Sequence, residues 1–126
     1  MNKISQLVAR IFLGQIFVIS GFLKISGYEG TQGYMEAMGV PGMLLPLVIA
    51  LEVVGGFAIV TGWQTKRVSM VLAAFTLAAA MIFHSDFSDQ IQMIMFMKNM
   101  AITGGFMLLM AYGAGAYSID GYRIRS

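Results

Sequence analysis

Four long apolar stretches alternate with short polar segments along the chain. They cover approximately residues 6–25, 43–63, 68–83 and 97–117. Each approaches the roughly 20 residues that a helix needs to cross the hydrocarbon core of a bilayer. The pattern predicts an all-α fold, an integral membrane four-helix bundle in which residues 1–126 form a single domain.

The segment between the first two stretches carries a helical signal of its own. Thr31 is suited to cap a short helix over residues 32–38, and Gly39 is suited to end it. The apolar side chains of this segment fall on one face of the helix, which predicts that it lies in the membrane interface. Those side chains are Tyr34, Met35 and Met38.

The composition supports a lipid environment. Of the 126 residues, 58% are hydrophobic and 11% are charged, whereas a soluble domain has about 25% charged residues. A net charge of +2 with dispersed basic residues argues against nucleic acid as a partner. The absence of cysteine excludes thiolate nucleophiles and iron–sulfur clusters held by this chain.

The distribution of charge predicts the orientation. In a four-span chain most basic residues fall on one side of the membrane and the loop acids fall on the other. The positive-inside rule then predicts that both termini are cytoplasmic. We expect the membrane to be the inner membrane of a bacterium. The basic residues of that side are Lys3, Lys66, Arg67, Arg123 and Arg125. The acids of the opposite loops are Glu29, Glu36, Asp86 and Asp89.

The first span carries a stripe of unusual residues. Arg10, Gly14, Phe17, Gly21 and Lys24 follow one another at steps of four, three, four and three, which place all five on one helix face. A face with two cations and two glycines is poorly suited to lipid. We therefore expect it to point into the bundle, where glycines permit close helix approach.

Glu52 lies near the middle of the second span. An unpaired carboxylate at that depth is strongly unfavourable, so we expect a buried charge pair. Arg10 is the first choice of partner, and Lys24 or Lys98 could approach from the other side. The pair is either a structural device that fixes helix register or a carboxylate that handles protons or anchors a ligand.

Four hydrogen-bonding side chains gather at the outer ends of the spans. Lys24 ends the first span, His84 ends the third, and Lys98 and Asn99 open the fourth. They either extend to water and cap helix ends or form a pocket for a ligand with carbonyl or anionic oxygens. One histidine beside Asp86 supplies too few ligands for a metal, so no metal site is predicted.

A set of short motifs follows in a fixed order along the chain, at residues 10–24, 34–41, 52–56, 83–87, 96–99, 104–105 and 113–120. In this order and spacing they resemble the DoxX family of small bacterial membrane proteins, and the resemblance covers nearly the whole chain. It implies a four-helix membrane protein. Some members are named for the membrane subunit of an archaeal thiosulfate:quinone oxidoreductase, and others are associated with quinone-like aromatics or oxidative stress.

Two functional hypotheses follow. The first is a quinone-interacting membrane redox protein, or the membrane subunit of a redox system, with a quinone-like ligand and a redox partner subunit. The alternative is a non-enzymatic membrane scaffold, accessory subunit or small-solute passage. The sequence identifies no catalytic residue, and no side chain in it carries electrons by itself, so a redox role requires a bound cofactor or partner.

Overall fold

A computed structural model describes residues 2–125, with side chains described as far as residue 122. Helices occupy most of this range, no strand forms within it, and four of the helices are long and apolar enough to cross a membrane. The predicted all-α fold, with a shorter helix after the first span, is confirmed. The elements are α1 (Lys3–Ser26), α2 (Tyr28–Ala37), a 3-10 turn (Gly42–Leu44), α3 (Leu45–Thr61), α4 (Thr65–Phe83), α5 (Gln90–Tyr112) and α6 (Ile119–Arg125).

The start of α2 differs from the prediction. The helix begins at Tyr28, one residue after Gly27, so Thr31 is inside it and is not its cap. The Thr31 hydroxyl instead donates a hydrogen bond of 2.9 Å to the carbonyl oxygen of Gly27. The predicted end is close to the observed one, since α2 stops at Ala37 and Gly39 adopts a positive φ of 84°.

The last span begins and ends earlier than predicted. Asp89 caps α5 by accepting a hydrogen bond of 2.9 Å from the backbone N–H of Ile91. Gly113, with a φ of 79°, ends the helix. The predicted start at residue 97 was wrong because the polar residues at positions 90 and 92 lie within the first helical turn and do not form a loop.

A close glycine crossing joins α1 to α3. A Cβ atom added to Gly14 would lie 2.6 Å from the carbonyl oxygen of Gly56, and one added to Gly56 would lie 2.8 Å from the carbonyl oxygen of Gly14. Two turns further along α1, Gly21 faces Val53 and Glu52. The two helices are therefore antiparallel, and their register is set where side chains are smallest.

A second helix pair, α4 with α5, completes the bundle. An apolar core lies between the two pairs, and the rings of Phe17 and Phe106 pack there with their centroids 5.5 Å apart. The buried members of this core are Phe17, Ile59, Leu72, Ala73, Phe106 and Leu109.

The bundle has two ends that differ in structure. The end that we call the terminal end holds the start of α1, the turn at residues 62–64 and the segment after α5. The loop end holds α2, the 3-10 turn and residues 84–89. At the terminal end the carboxylate of Asp120 accepts hydrogen bonds from the backbone N–H groups of Gln64 (2.9 Å) and Thr65 (2.8 Å), so the C-terminal segment is attached to the start of α4.

Candidate functional site

The polar stripe of α1 points into the bundle, as predicted. Arg10, Gly14, Phe17 and Gly21 are buried, and Lys24 at the end of the stripe is partly buried. Glycine at two of these positions lets α1 approach α3 closely enough to bury the polar groups between them.

Arg10 and Glu52 are both buried, but they do not pair with each other. The guanidinium of Arg10 donates to the carbonyl oxygens of Ile59 (3.4 Å), Val60 (3.0 Å) and Tyr117. These contacts place it at the terminal end, where it binds the last carbonyls of α3 and the C-terminal segment. The predicted Arg10–Glu52 pair is therefore wrong, because Arg10 is not the cation that pairs with Glu52.

The register of α1 against α3 explains this correction. Glu52 lies opposite Gly21, and Arg10 is eleven residues before Gly21 on α1. At 1.5 Å per residue this separation is about 16 Å along the helix axis, which exceeds the reach of an arginine side chain.

Lys24 provides the counter-charge for Glu52. Its Nζ lies 2.8 Å from Oε1 of Glu52 and donates a hydrogen bond of 2.7 Å to Oγ of Ser20. Ser20 and Lys24 are four residues apart and share a helix face. Lys24 is one of the two alternatives that the sequence left open, and the pair lies in the half of the bundle nearest the loop end.

A cavity of about 410 Å³ adjoins this ion pair. It lies between α1, α3, α4 and α5, and α2 lies across it at the loop end. The ring of Tyr34 on α2 stacks on Phe83 with centroids 5.4 Å apart, which holds α2 over the opening. The walls are mostly apolar, and four aromatic residues contribute to them: Phe17, Tyr34, Phe75 and Phe83.

Three of the four predicted site residues line this cavity, namely Lys24, His84 and Asn99. Lys98 does not line it and is exposed on the outer face of α5. The rotation of α5 about its axis turns Asn99 toward the cavity and leaves Lys98 on the exposed side of the helix. Whether the three residues bind a ligand stays a prediction.

Several lining residues were missed by the sequence analysis. Ser20 had a detectable signal, because it precedes Lys24 by one helical turn. Thr76 gave no signal in the sequence, because threonine is common inside apolar spans. The direction in which its side chain points depends on how α4 packs. Tyr34 reaches the cavity because α2 folds back over the bundle, which is a long-range feature.

One buried oxygen atom at the cavity, Oγ1 of Thr76, lacks a hydrogen-bond partner in the described part of the chain. Oε1 of Glu52 is satisfied by the ammonium of Lys24, 2.8 Å away. The side-chain amide of Asn99 is engaged, because Nδ2 donates to the carbonyl oxygen of Thr76 at 3.3 Å. Among the described residues, no cluster of His, Cys, Asp and Glu is suitable for a metal ion.

Four apolar helices around a small, mainly apolar cavity with an internal ion pair define the class: a small integral membrane protein with a candidate ligand site in its interior. The chain belongs to the DoxX family, whose model matches residues 5–85. A lipid bilayer is therefore its environment.

Relatives support the assignment over most of the chain. "Inner membrane protein YqjF" of Escherichia coli is 52% identical over 120 residues, covering 95% of this chain and 92% of the relative. "Inner membrane protein YphA" of the same organism is 39% identical, covering 90% and 86% respectively. "Putative oxidoreductase CatD" of Bacillus subtilis is 36% identical, covering 65% and 63%. No solved structure shows significant similarity to the chain.

Proposed function

We propose that this chain is a quinone-interacting protein of the bacterial inner membrane that binds the ring of a quinone-type molecule in the cavity beside Lys24 and Glu52. The observation that carries the proposal is the cavity itself, with aromatic walls and an ion pair on one side. Small-molecule sites are typically apolar hollows with a few convergent polar groups.

The size and lining of the cavity suit such a ring. About 410 Å³ falls within the roughly 300–1,000 Å³ of ordinary ligand pockets. Phe17, Phe75 and Phe83 contribute aromatic side chains to the walls, against which a flat ring could pack. Lys24, His84 and Asn99 are then the residues that orient its oxygen atoms, and an apolar tail would leave between the spans.

A redox role needs a second component. Because no side chain of this protein carries electrons, the protein would hold the quinone while a bound cofactor or a partner subunit exchanges electrons with it. The name of the relative CatD describes an oxidoreductase, which is compatible with this role. The names of YqjF and YphA support the inner membrane as the location.

The orientation is part of the proposal. Lys66 and Arg67 lie at the terminal end, while Asp86 and Asp89 lie at the loop end. The positive-inside rule then places the terminal end in the cytoplasm and the cavity in the outer half of the membrane.

Ligand-dependent stability tests the proposal. Ala79 lines the cavity, whereas Ala74 on the same helix is exposed and does not. At a hundred times its dissociation constant, a short-tail quinone should stabilise the wild type and Ala74→Phe by about 2.7 kcal/mol. Ala79→Phe fills the cavity and should abolish the shift. An equal shift in all three proteins would place binding outside the cavity and reject the proposal.

A second candidate function, membrane subunit of a larger assembly, is favoured by Lys98. This residue is the ninth of α5, about 12 Å from the start of the helix, and its side chain is exposed. A lysine facing lipid near a helix centre costs about 2.5–3.5 kcal/mol, and a carboxylate on a partner helix would offset this.

Native membranes test this second candidate. In native gel electrophoresis of mildly solubilised membranes, the wild type should migrate in an assembly larger than its own monomer or homo-oligomer, and Lys98→Leu should dissociate from it. A wild type that migrates only as copies of itself would exclude the candidate.

A further inference from the structure

A second cavity, of about 870 Å³, lies at the terminal end of the bundle. It is open and is formed by the start of α4, the end of α5 and the segment that follows α5. We infer that this cavity, which we call the terminal cavity, binds the phosphate group of an anionic phospholipid. The inference goes beyond the proposed function and does not depend on it, because the two cavities are lined by different residues.

The basic side chains of the terminal cavity outnumber its acidic ones. Lys66 and Arg67 line it from the first turn of α4, both are exposed, and neither forms an ion pair within the described part of the chain. Asp120 is the one carboxylate among the described lining residues. Its two oxygens already accept hydrogen bonds from the backbone N–H groups of Gln64 and Thr65. Two basic side chains are therefore available to an anionic ligand.

The turn after α5 forms another wall of this cavity. Gly113 and Gly115 have positive φ values of 79° and 91°, which glycine adopts without the steric cost of a Cβ atom. A Cβ atom added to Gly113 would lie 3.5 Å from Cε of Lys66. The lysine side chain therefore extends along this turn, so that its charge and the backbone of the turn belong to one site.

The same turn carries backbone donors that the protein does not use. In the part of the chain that the structure describes, no hydrogen bond involves the backbone N–H of Ala114 or of Gly115, although Ala114 is only 4% exposed. Buried backbone N–H groups are nearly always paired. Successive N–H groups in a turn commonly bind phosphate oxygens. Two cations and two unused donors around one cavity therefore suit a phosphate group.

The position of the terminal cavity favours a lipid over a soluble phosphate. The end of the bundle that holds it presents four exposed side chains of the kind found at the headgroup level of a membrane. They are Trp63 (44% exposed), Tyr112 (67%), Tyr117 (50%) and Tyr122 (68%). Tyr112 also lines the cavity. Basic residues at this level attract anionic headgroups, so the phosphate layer of one leaflet supplies the ligand.

Three probes separate charge and source. They are dioleoyl phosphatidylglycerol, dioleoyl phosphatidylcholine and sn-glycerol 3-phosphate, and native mass spectrometry of the wild type in a neutral detergent measures binding of each. We expect phosphatidylglycerol to bind at least about tenfold more tightly than phosphatidylcholine, which has the same chains and phosphate but no net charge. Glycerol phosphate at the concentration of the lipid should leave the bound lipid in place.

Charge-matched variants locate the site. Lys66→Gln and Arg67→Gln each remove one cation from the wall of the terminal cavity. Lys3→Gln removes one exposed cation at the same end that does not line the cavity. Each cavity variant should bind phosphatidylglycerol about fivefold more weakly than the wild type, whereas Lys3→Gln should stay within about twofold. All three positions are exposed, so we expect the variants to fold.

Each part of the inference can fail separately. Equal affinities for the two lipids would overturn the preference for an anionic ligand. A loss in Lys3→Gln as large as in the two cavity variants would assign binding to the general charge of this end and overturn the site. Displacement of the lipid by an equal concentration of glycerol phosphate would overturn the assignment to a phospholipid.

Discussion

Lys24 and Glu52 bring opposite charges into a bundle whose surroundings are apolar, and the two residues are not equally buried. The side chain of Glu52 is 4% exposed and that of Lys24 is 28% exposed. A lysine with partial access can extend its ammonium toward the interface when it loses its partner. The buried carboxylate of Glu52 cannot reach water in the same way. Losing the partner should therefore be more unfavourable for Glu52 than for Lys24.

This asymmetry gives a prediction about single substitutions. Lys24→Met leaves Glu52 charged and unpaired, and it should cost about 3–5 kcal/mol of stability. Glu52→Gln should cost clearly less, and the double variant Lys24→Met/Glu52→Gln should be more stable than Lys24→Met. Denaturant unfolding in detergent, with Lys98→Met as an exposed control, measures the three values. Equal losses in both single variants would show that burial does not control the pair.

At the scale of the helices, the crossing of α1 and α3 determines which charges can meet. The backbones of Gly14 and Gly56 are so close that no side chain fits between them. This crossing sets the register that places Gly21 opposite Glu52 and leaves Arg10 at the terminal end. The helix pair therefore positions the wall of the cavity.

Glycine substitutions test this arrangement. Gly14→Ala puts a Cβ atom 2.6 Å from a backbone oxygen, which cannot move without shifting the helix, and the loss should be about 1–3 kcal/mol. Gly104 is the matched control within a span, since a Cβ atom there meets nothing within 4 Å. Gly104→Ala should be neutral or slightly stabilising. Equal unfolding midpoints for the two variants would contradict the close crossing.

The same elements show what a sequence can and cannot reveal. The stripe on α1 was predicted because period and polarity are local properties of the chain. The partner of Glu52 was predicted wrongly because the register between two helices depends on which glycines meet. Lys98 was assigned to the cavity from its depth alone, whereas the rotation of α5 about its axis turns it outward and turns Asn99 inward.

For the molecule as a whole, the proposed orientation has the terminal end of the bundle on the cytoplasmic side of the membrane, as the positive-inside rule predicts. The chain has no cysteine, so an introduced cysteine is the one thiol that a maleimide can label. Tyr122→Cys at the terminal end and Ser88→Cys at the loop end replace exposed residues. In intact cells an impermeant maleimide should label Ser88→Cys, and it should label Tyr122→Cys after lysis. Labelling of both from outside would contradict the four-span orientation.

Photolabelling with an azido-quinone tests most directly the claim that the interior cavity binds quinone-type rings. Phe17, Phe75 and Thr76 line the cavity and are not exposed on the outer surface, so peptide mapping by mass spectrometry separates specific binding from partition into the bilayer. The account predicts labels on Phe17 of α1 and on Phe75 or Thr76 of α4, lost when an excess of unlabelled quinone is added. Labels confined to exposed positions of α5 such as Met93 and Met107, and insensitive to competition, would contradict it.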